Sequence, residues 1–326
     1  MASSNANTNH STGSNSSNAT NDLQCLENTV ITNAVQELTK TIQGSEATTF
    51  GELLMQLDRK ISALKAENNT LAMKSICQLF LGVVTQREEQ KWEDQRRELI
   101  STSRQFLKKT QSSGAKISLL ASNFIRDNVK LLIHGYSSLL LGVLITAANQ
   151  RKRFTVYITE AKPSSDGYRF AKHLIDSKIP VTVISDCAVG HFINRIDFVL
   201  VGAEAIAENG GIINRIGSFQ VSMIAKAYNK PVYVASESYK FAKDLFPLSQ
   251  LDLPQVCKIQ AKQDKPEQQQ LLAHPDATKY LSINTTLFDY TPPSYITLMF
   301  TDLGVLTPSA VSDELIKLEQ RLVADS

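Results

Sequence analysis

The sequence predicts an α/β protein in which an N-terminal helical domain precedes a Rossmann-like, doubly wound, mainly parallel sheet. Three observations predict it. Up to residue 128 apolar residues recur at helical spacing. From residue 129 short β-branched runs alternate with helix patterns. Residues 198–238 read as a strand (Phe198 to Val201), a loop rich in glycine and asparagine, a helix, and a second strand (Pro231 to Ala235). That loop falls at the carboxyl end of a strand, where open α/β sheets bind ligands.

The elements follow in order. Residues 1–21 are Ser, Asn, Thr and Ala with almost no large apolar side chain, so a disordered tail is expected. A helical domain is expected over 22–128. Thr49-Phe50-Gly51-Glu52 fits a capping box before Leu53, Leu54, Leu57, Ile61 and Leu64, an apolar stripe at helical spacing. Residues 70–84 read as a more apolar helix. Residues 85–109 read as a long amphipathic one, with Trp92, Leu99, Phe106 and Leu107 inward and the charges of Arg87 to Glu98 on a solvated face.

The α/β domain is expected over 129–326. Its strands are Val129–Ile133, Phe154–Thr159, Val181–Ile184, Phe198–Val201 and Val232–Ala235, with helices over 137–149, 167–177, 187–195 and 217–228. Residues 245–285 are polar and read as a surface excursion. Pro292 suits a helix N1 position after Thr291, and Ser309 after Pro308 can start the last helix.

Composition excludes several classes. An apolar fraction of 42% supplies a core, and a net charge of +2 with pI ≈ 8.2 provides no basic field for nucleic acid. There is no 18-residue apolar run and no charged-then-apolar leader, so neither a membrane span nor secretion is expected, and a cytosolic location is. Cys25, Cys77, Cys187 and Cys257 are far apart and the histidines are scattered. Reduced thiols, no metal and no cofactor are expected.

No G-x-G-x-x-G, G-x-x-x-x-G-K-[ST], G-x-S-x-G or H-E-x-x-H pattern occurs. The candidate site is instead the set of strand carboxyl ends. These carry His134, Tyr136 and Ser137; Glu160 and Lys162; Ser185 and Asp186; Glu204, Asn209, Gly210, Asn214, Arg215 and Gly217; and Ser236 to Ser238. Each has a bland reading as well: a hydrogen-bonded core histidine for His134, an N-cap for Asp186, a solvated charge for Lys162. Together they predict a pocket for a small, polar, anionic ligand such as a sugar phosphate or nucleotide.

GAEAIAENGGIINRIGS, KPVYVASES and TPPSYITLMFTDLGVLTPSAVSDELIKL resemble the regulatory-subunit group of eukaryotic translation initiation factor 2B, in its alpha-type branch rather than the longer delta type. The resemblance covers about residues 25–326. It implies a non-catalytic subunit that dimerises and joins beta, gamma, delta and epsilon subunits in a decameric guanine-nucleotide exchange factor for initiation factor 2. It also implies that the helical domain helps to sense phosphorylation of the alpha subunit of initiation factor 2. Basic residues of 59–109 could pair with a phosphoserine.

The same fold serves isomerases of methylthioribose 1-phosphate and ribose 1,5-bisphosphate, and the resemblance extends to them. Their chemistry needs a cysteine just after the first sheet strand and an aspartate in Gly-Ala-Asp. Those positions fall at about Gly135 and at Glu204, and their Arg-Pro-Thr has no match around Lys74-Ser75-Ile76. A glycine has no thiol, and a carboxylate moved by one methylene is misplaced by about 1 Å, which can cost 10²-fold. The enzymatic alternative is therefore disfavoured, while retained Asn209-Gly210 and Asn214-Arg215-Ile216-Gly217 keep ligand binding in view.

Leu298, Met299, Phe300, Leu303, Val305 and Leu306 are crowded into one short segment. Beside a sheet already covered by helices, part of this apolar surface is expected to need a second chain, giving a homodimer. The alternative is that the segment caps the sheet within one subunit.

Overall fold

The computed structural model describes residues 16–85, 92–243, 245–247, 249–253 and 286–324, with side chains described from residue 29 to 317 within those ranges. Residues 1–15 of the expected tail and most of the expected excursion lie outside the described residues. Residues 16–21 do not form a tail: helix α1 runs from Ser16 to Gly44. Its buried stripe of Ile31, Val35, Leu38 and Ile42 anchors it, and extension toward the N-terminus costs little once a helix is nucleated.

Helix α2 (Phe50–Glu67) starts at Thr49, whose hydroxyl accepts the Glu52 amide at 3.3 Å. The Glu52 carboxylate accepts the amide of Thr48 at 2.8 Å, so the expected box closes one residue earlier than its sequence pattern suggests. Leu53, Leu57, Ile61 and Leu64 face the core. Helix α3 (Leu71–Thr85) is buried along most of its length, and α4 spans Trp92–Ser122. Phe80 of α3 meets Phe106 of α4 edge to face at 5.8 Å, and Trp92 Nε1 donates to the Ala47 carbonyl at 3.0 Å.

Strands and helices then alternate: β1 (Lys130–Ile133), α5 (Ser138–Asn149), β2 (Thr155–Thr159), α6 (Asp166–Asp176), β3 (Val181–Ile184), α7 (Val189–Phe192) and β4 (Phe198–Val201). After β5 (Ala205–Ala207) and β6 (Ile212–Arg215) come α8 (Ser218–Ala227), β7 (Val232–Ala235), β8 (Phe241–Ala242), β9 (Phe288–Thr291), β10 (Leu298–Thr301), β11 (Gly304–Leu306) and α9 (Val311–Ala324). The main sheet has seven strands in the order β11-β10-β7-β4-β1-β2-β3, parallel except for the β10–β11 pair. Leu131 aligns with Val156 of β2 and Phe198 of β4.

Successive residues of a strand point to opposite faces, and both faces are covered. Leu131 and Ile133 pack with Leu140, Leu144, Phe170 and Leu174 of α5 and α6. Leu132, Val199 and Val201 join Val221 and Ala225 of α8 on the other face, in an apolar cluster that continues into α1–α4. This explains why the strands read as unbroken apolar runs. The chain leaves β1 toward β2 and β3 and returns to β4 on β1's other side. The crevice at the carboxyl ends of β1 and β4 is therefore a topological switch point.

The structure adds a four-stranded sheet, β8-β5-β6-β9, of which the sequence pattern reads β5 and β6 as part of a loop and assigns no element to β8 and β9. The expected helix over 187–195 is α7 flanked by two 3₁₀ turns. Pro292 precedes a 3₁₀ turn, Pro293–Tyr295, rather than a longer helix. The crowded apolar segment is largely absorbed within the chain. β10 lies between β7 and β11, which buries Met299 and Phe300, while Leu303 and Leu306 pack against the core and Val305 is exposed. That segment supplies no argument for a second chain.

Candidate functional site

β1 delivers His134 to the crevice, but buried, at 2% exposure. Its Nε2 lies 2.7 Å from the Ile216 carbonyl, which can only accept, so this nitrogen carries the proton. Nδ1 then accepts from the Thr159 hydroxyl at 2.6 Å. Burial holds the ring's pKa below the usual histidine value, against the opposing pull of the Ile216 bond and of Asp186. His134 is a neutral brace under the turn after β6: a Cβ at Gly217 would lie 2.6 Å from its Cε1.

Gly135 adopts φ +78°, and a Cβ there would meet the Arg215 stem at 3.4 Å. Tyr136 is half-buried against Phe170 at 5.7 Å, with the Arg169 guanidinium 3.7 Å above its ring. Ser137 caps α5, its side chain accepting the Leu140 amide at 3.4 Å.

β2 ends at Glu160, and Lys162 follows. Lys162 Nζ donates to Ser165 Oγ at 2.9 Å and lies 3.4 Å from Glu160 Oε2. The Asp186 carboxylate, at the end of β3, accepts the amides of Ala161 and Lys162, both at 2.8 Å. A matching arrangement occurs across the crevice. Asp289 of β9 accepts on Oδ2 the amides of Gly217 (2.7 Å) and Phe219 (3.0 Å), at the start of α8. It is 5% exposed, and its Oδ1 has no hydrogen-bond partner among the described residues. Desolvation pushes its pKa up to about 7, although the two amide bonds pull the other way.

Asn214 Nδ2 donates to Ser218 Oγ at 2.9 Å. Arg215 Nε lies 3.7 Å from Glu204 Oε1, and its guanidinium lies 5.0 Å from the Phe288 ring centre. Asn209 and Gly210 have a different role. They form the turn between β5 and β6, in which Asn209 accepts the Gly211 amide at 2.9 Å and donates to the Pro247 carbonyl (3.0 Å) and the Tyr290 hydroxyl (2.8 Å). Gly210, at φ +80°, lies against the Pro308 carbonyl so closely that a Cβ would overlap it.

A cavity of about 740 Å³ lies beyond the ends of β2 and β3, walled also by the turn into α8, by residues 250–253 and by β9. Lys162, Asp186, Gln220, Gln250 and Asp289 supply its polar wall; Phe219, Met223, Leu251 and Phe288 are among its apolar groups. Of the sequence-predicted residues, Lys162, Asp186 and Gly217 line it. His134, Tyr136, Ser137, Glu160, Glu204, Asn209, Gly210, Asn214 and Arg215 are not among its lining residues. Sequence reasoning missed Asp289, Gln220 and Gln250. FDYT was the available signal for Asp289, since an aspartate between aromatics in a strand has to find buried donors. Among the described residues no group of three or more His, Cys, Asp or Glu is placed to hold a metal, and no helix is long and apolar enough to cross a membrane.

Fold and site define a Rossmann-like α/β protein with a helical half packed on its sheet and a mixed polar–apolar cavity between the ends of β2 and β3 and the start of α8. Over residues 27–308 the sequence matches the Initiation factor 2 subunit family, and the chain belongs to that family. It is 43% identical over 300 residues to translation initiation factor eIF2B subunit alpha of Dictyostelium discoideum, covering 87% of this chain and 89% of that one. Ribose 1,5-bisphosphate isomerase of Archaeoglobus fulgidus is 34% identical over 217 residues, 66% of each chain. The fold is shared with the Pyrococcus horikoshii OT3 translation initiation factor eIF-2B (TM-score 0.65, 20% identity, 90% of this chain and 97% of that one). It is also shared with a chain of the tetrameric eIF2B-beta2-delta2 complex from C. thermophilum (TM-score 0.69, 19% identity, 94% and 96%).

Proposed function

We propose that this chain is a non-catalytic, alpha-type regulatory subunit of the guanine-nucleotide exchange factor for translation initiation factor 2. In this reading it works in the cytosol as a homodimer. It joins the beta, gamma, delta and epsilon subunits in a decamer, and its helical half takes part in sensing phosphorylated initiation factor 2 alpha. Similarity to the Dictyostelium alpha subunit over most of both chains supports the regulatory role.

The observation that carries the non-catalytic part is Gly135. At the position where the isomerases' thiol is expected there is a glycine at φ +78°, with the Arg215 stem against it. Glu204, where an aspartate is expected, is engaged with Arg215. The test is incubation with ribose 1,5-bisphosphate and methylthioribose 1-phosphate. No turnover is expected. Isomerisation at an enzyme-like kcat/KM, about 10⁴ M⁻¹s⁻¹ or more, would overturn the reading.

A second reading, compatible with the first, is that the cavity binds a small phosphorylated sugar without converting it. Its volume of about 740 Å³ and the Lys162 ammonium on its wall favour this. A rise in melting temperature with sugar phosphates is the expected sign.

A further inference from the structure

At the other end of the strands from Lys162 and Asp186, the starts of β1, β2 and β3 line a second cavity, of about 490 Å³. Four of its ten lining residues are cations, Lys130, Lys152, Arg153 and Lys178, and none is acidic. A basic cluster here has a simple reading, because α5 and α6 end at this edge and cations favour the carbonyl ends of helices. The hydrogen bonds go against that reading. The carbonyls of Thr146, Ala147 and Ala148 already take the amides of Gln150, Lys152 and Arg151. Those of His173, Leu174 and Ile175 take the amides of Ser177, Ile179 and Lys178. Of the four cations only Lys152 turns its ammonium to a helix carbonyl, that of Ser122 at 2.7 Å. Among the described residues the exposed side chains of Lys130, Arg153 and Lys178 have no hydrogen-bond or ion-pair partner. The neighbouring carboxylates of Asp127 and Asp197 accept the backbone amides of Arg153 and Lys130, both at 2.8 Å. Lys178 is also at φ +58°, the left-handed conformation that often follows a helix and that glycine adopts freely. The chain thus keeps a cation where local backbone stability favours glycine.

We propose that this second cavity binds a compact polyphosphate, several phosphates on a small non-aromatic scaffold, through Lys130, Lys152, Arg153 and Lys178. Like charges gathered around one concavity repel, and a multivalent anion placed among them reverses the sign of that interaction. The volume of about 490 Å³ falls within the range of small-molecule sites. The four cations line one cavity, and the net charge of the chain is only +2, so no extended basic field serves a nucleic acid or a long acidic chain. The one aromatic residue of the lining, Phe154, is 6% exposed and offers no face on which a base could stack. The inference is independent of the subunit role proposed above and concerns the opposite end of the sheet from the sugar-phosphate reading.

Isothermal titration of inositol hexakisphosphate and of inorganic phosphate into the full chain, K130Q, K178G and K162Q tests it. The wild type is expected to bind the hexakisphosphate at least about 100-fold tighter than phosphate, and less tightly as salt is raised. K130Q and K178G are each expected to weaken it by up to about fivefold, the usual limit for one exposed ion pair, and K162Q to leave it unchanged. K178G is the informative variant, because it removes the cation and relieves the left-handed backbone together. It is expected to melt no lower than the wild type while binding more weakly, a combination that damage to the fold would not give. Displacement of the hexakisphosphate by vesicles carrying phosphatidylinositol 4,5-bisphosphate would assign the anion to a lipid headgroup, and no displacement to a free solute; both uphold the site. No binding to the wild type overturns the inference. So does an affinity kept in K130Q and K178G, or lost in K162Q, which would put the anion at the other end of the sheet. Tighter binding of a polyglutamate peptide or of single-stranded RNA than of the hexakisphosphate would overturn the choice of a compact ligand.

Discussion

Asp289 and Gly217, 72 residues apart in the chain, are joined by a 2.7 Å hydrogen bond from the Gly217 amide to the Asp289 carboxylate. The same oxygen takes the Phe219 amide, so a strand of the small sheet caps a helix of the main one. His134 holds the Ile216 carbonyl from the other side. The turn between β6 and α8 is thereby fixed from above and below, and with it the position of Arg215.

Asp289 should make stability depend on pH. Its carboxyl is raised from 3.8 to about 7 by burial. A raised carboxyl contributes stability that is present below the unfolded value and is lost as pH rises through the folded one. The window is therefore from about 4 to above 7, and three units correspond to at most about 4 kcal/mol. His134, lowered by burial, works oppositely, adding stability that is lost as pH falls. Urea unfolding of the wild type and Asp289→Asn at pH 5 and pH 8.5 isolates the Asp289 part. The wild type should lose stability relative to the variant at the higher pH; a constant difference would remove the claim.

Gly135 should not accept the thiol that the isomerase alternative requires. Its φ of +78° disfavours any L side chain, at about 1–2 kcal/mol, while the Arg215 stem at 3.4 Å would make only an ordinary van der Waals contact. Gly135→Cys is expected to lower denaturant stability by about that amount and to gain no turnover of ribose 1,5-bisphosphate. A variant as stable as the wild type would show that the backbone there adapts.

Gly210→Ala should be worse. Its φ of +80° and the Pro308 carbonyl at its α-carbon both oppose a methyl group. Because Pro308 begins the turn that leads into α9, the damage should reach the C-terminal helix. A loss of about 2–4 kcal/mol is expected from strain plus backbone displacement. Hydrogen exchange localised to 205–215 and 307–315 would be the signature. Unchanged exchange in the second segment would contradict the contact's importance.

The main sheet was legible because parallel strands buried on both faces are written as short β-branched runs at regular spacing, from Leu131 to Val234. The small sheet was not, because its strands are two to four residues long and pair across long intervals, as Ile213 does with Tyr290. One part of it is readable: Asn209-Gly210 between Ala205-Ile206-Ala207 and Ile212-Ile213 is a hairpin signal, although the same glycine- and asparagine-rich stretch also fits a ligand loop. The strand ends point to a crevice on the sheet, and Lys162, Asp186 and Gly217 of the predicted set line the cavity found nearby. The division of labour within it was hidden, since no local pattern shows that Asp186 and Asp289 would fill the amides a phosphate could use. Apolar crowding at Leu298–Leu306 misled for a related reason: composition counts apolar side chains, whereas only the strand order shows that β10 is interior.

In the proposed reading this chain works as one subunit of a larger exchange factor. Native mass spectrometry of the chain mixed with beta, gamma, delta and epsilon subunits tests it most directly. Two copies of this 36.0 kDa chain are expected in each assembly, bridging two sets of the other four subunits. A chain that stays apart from those subunits at micromolar concentration, while they assemble with one another, would contradict it.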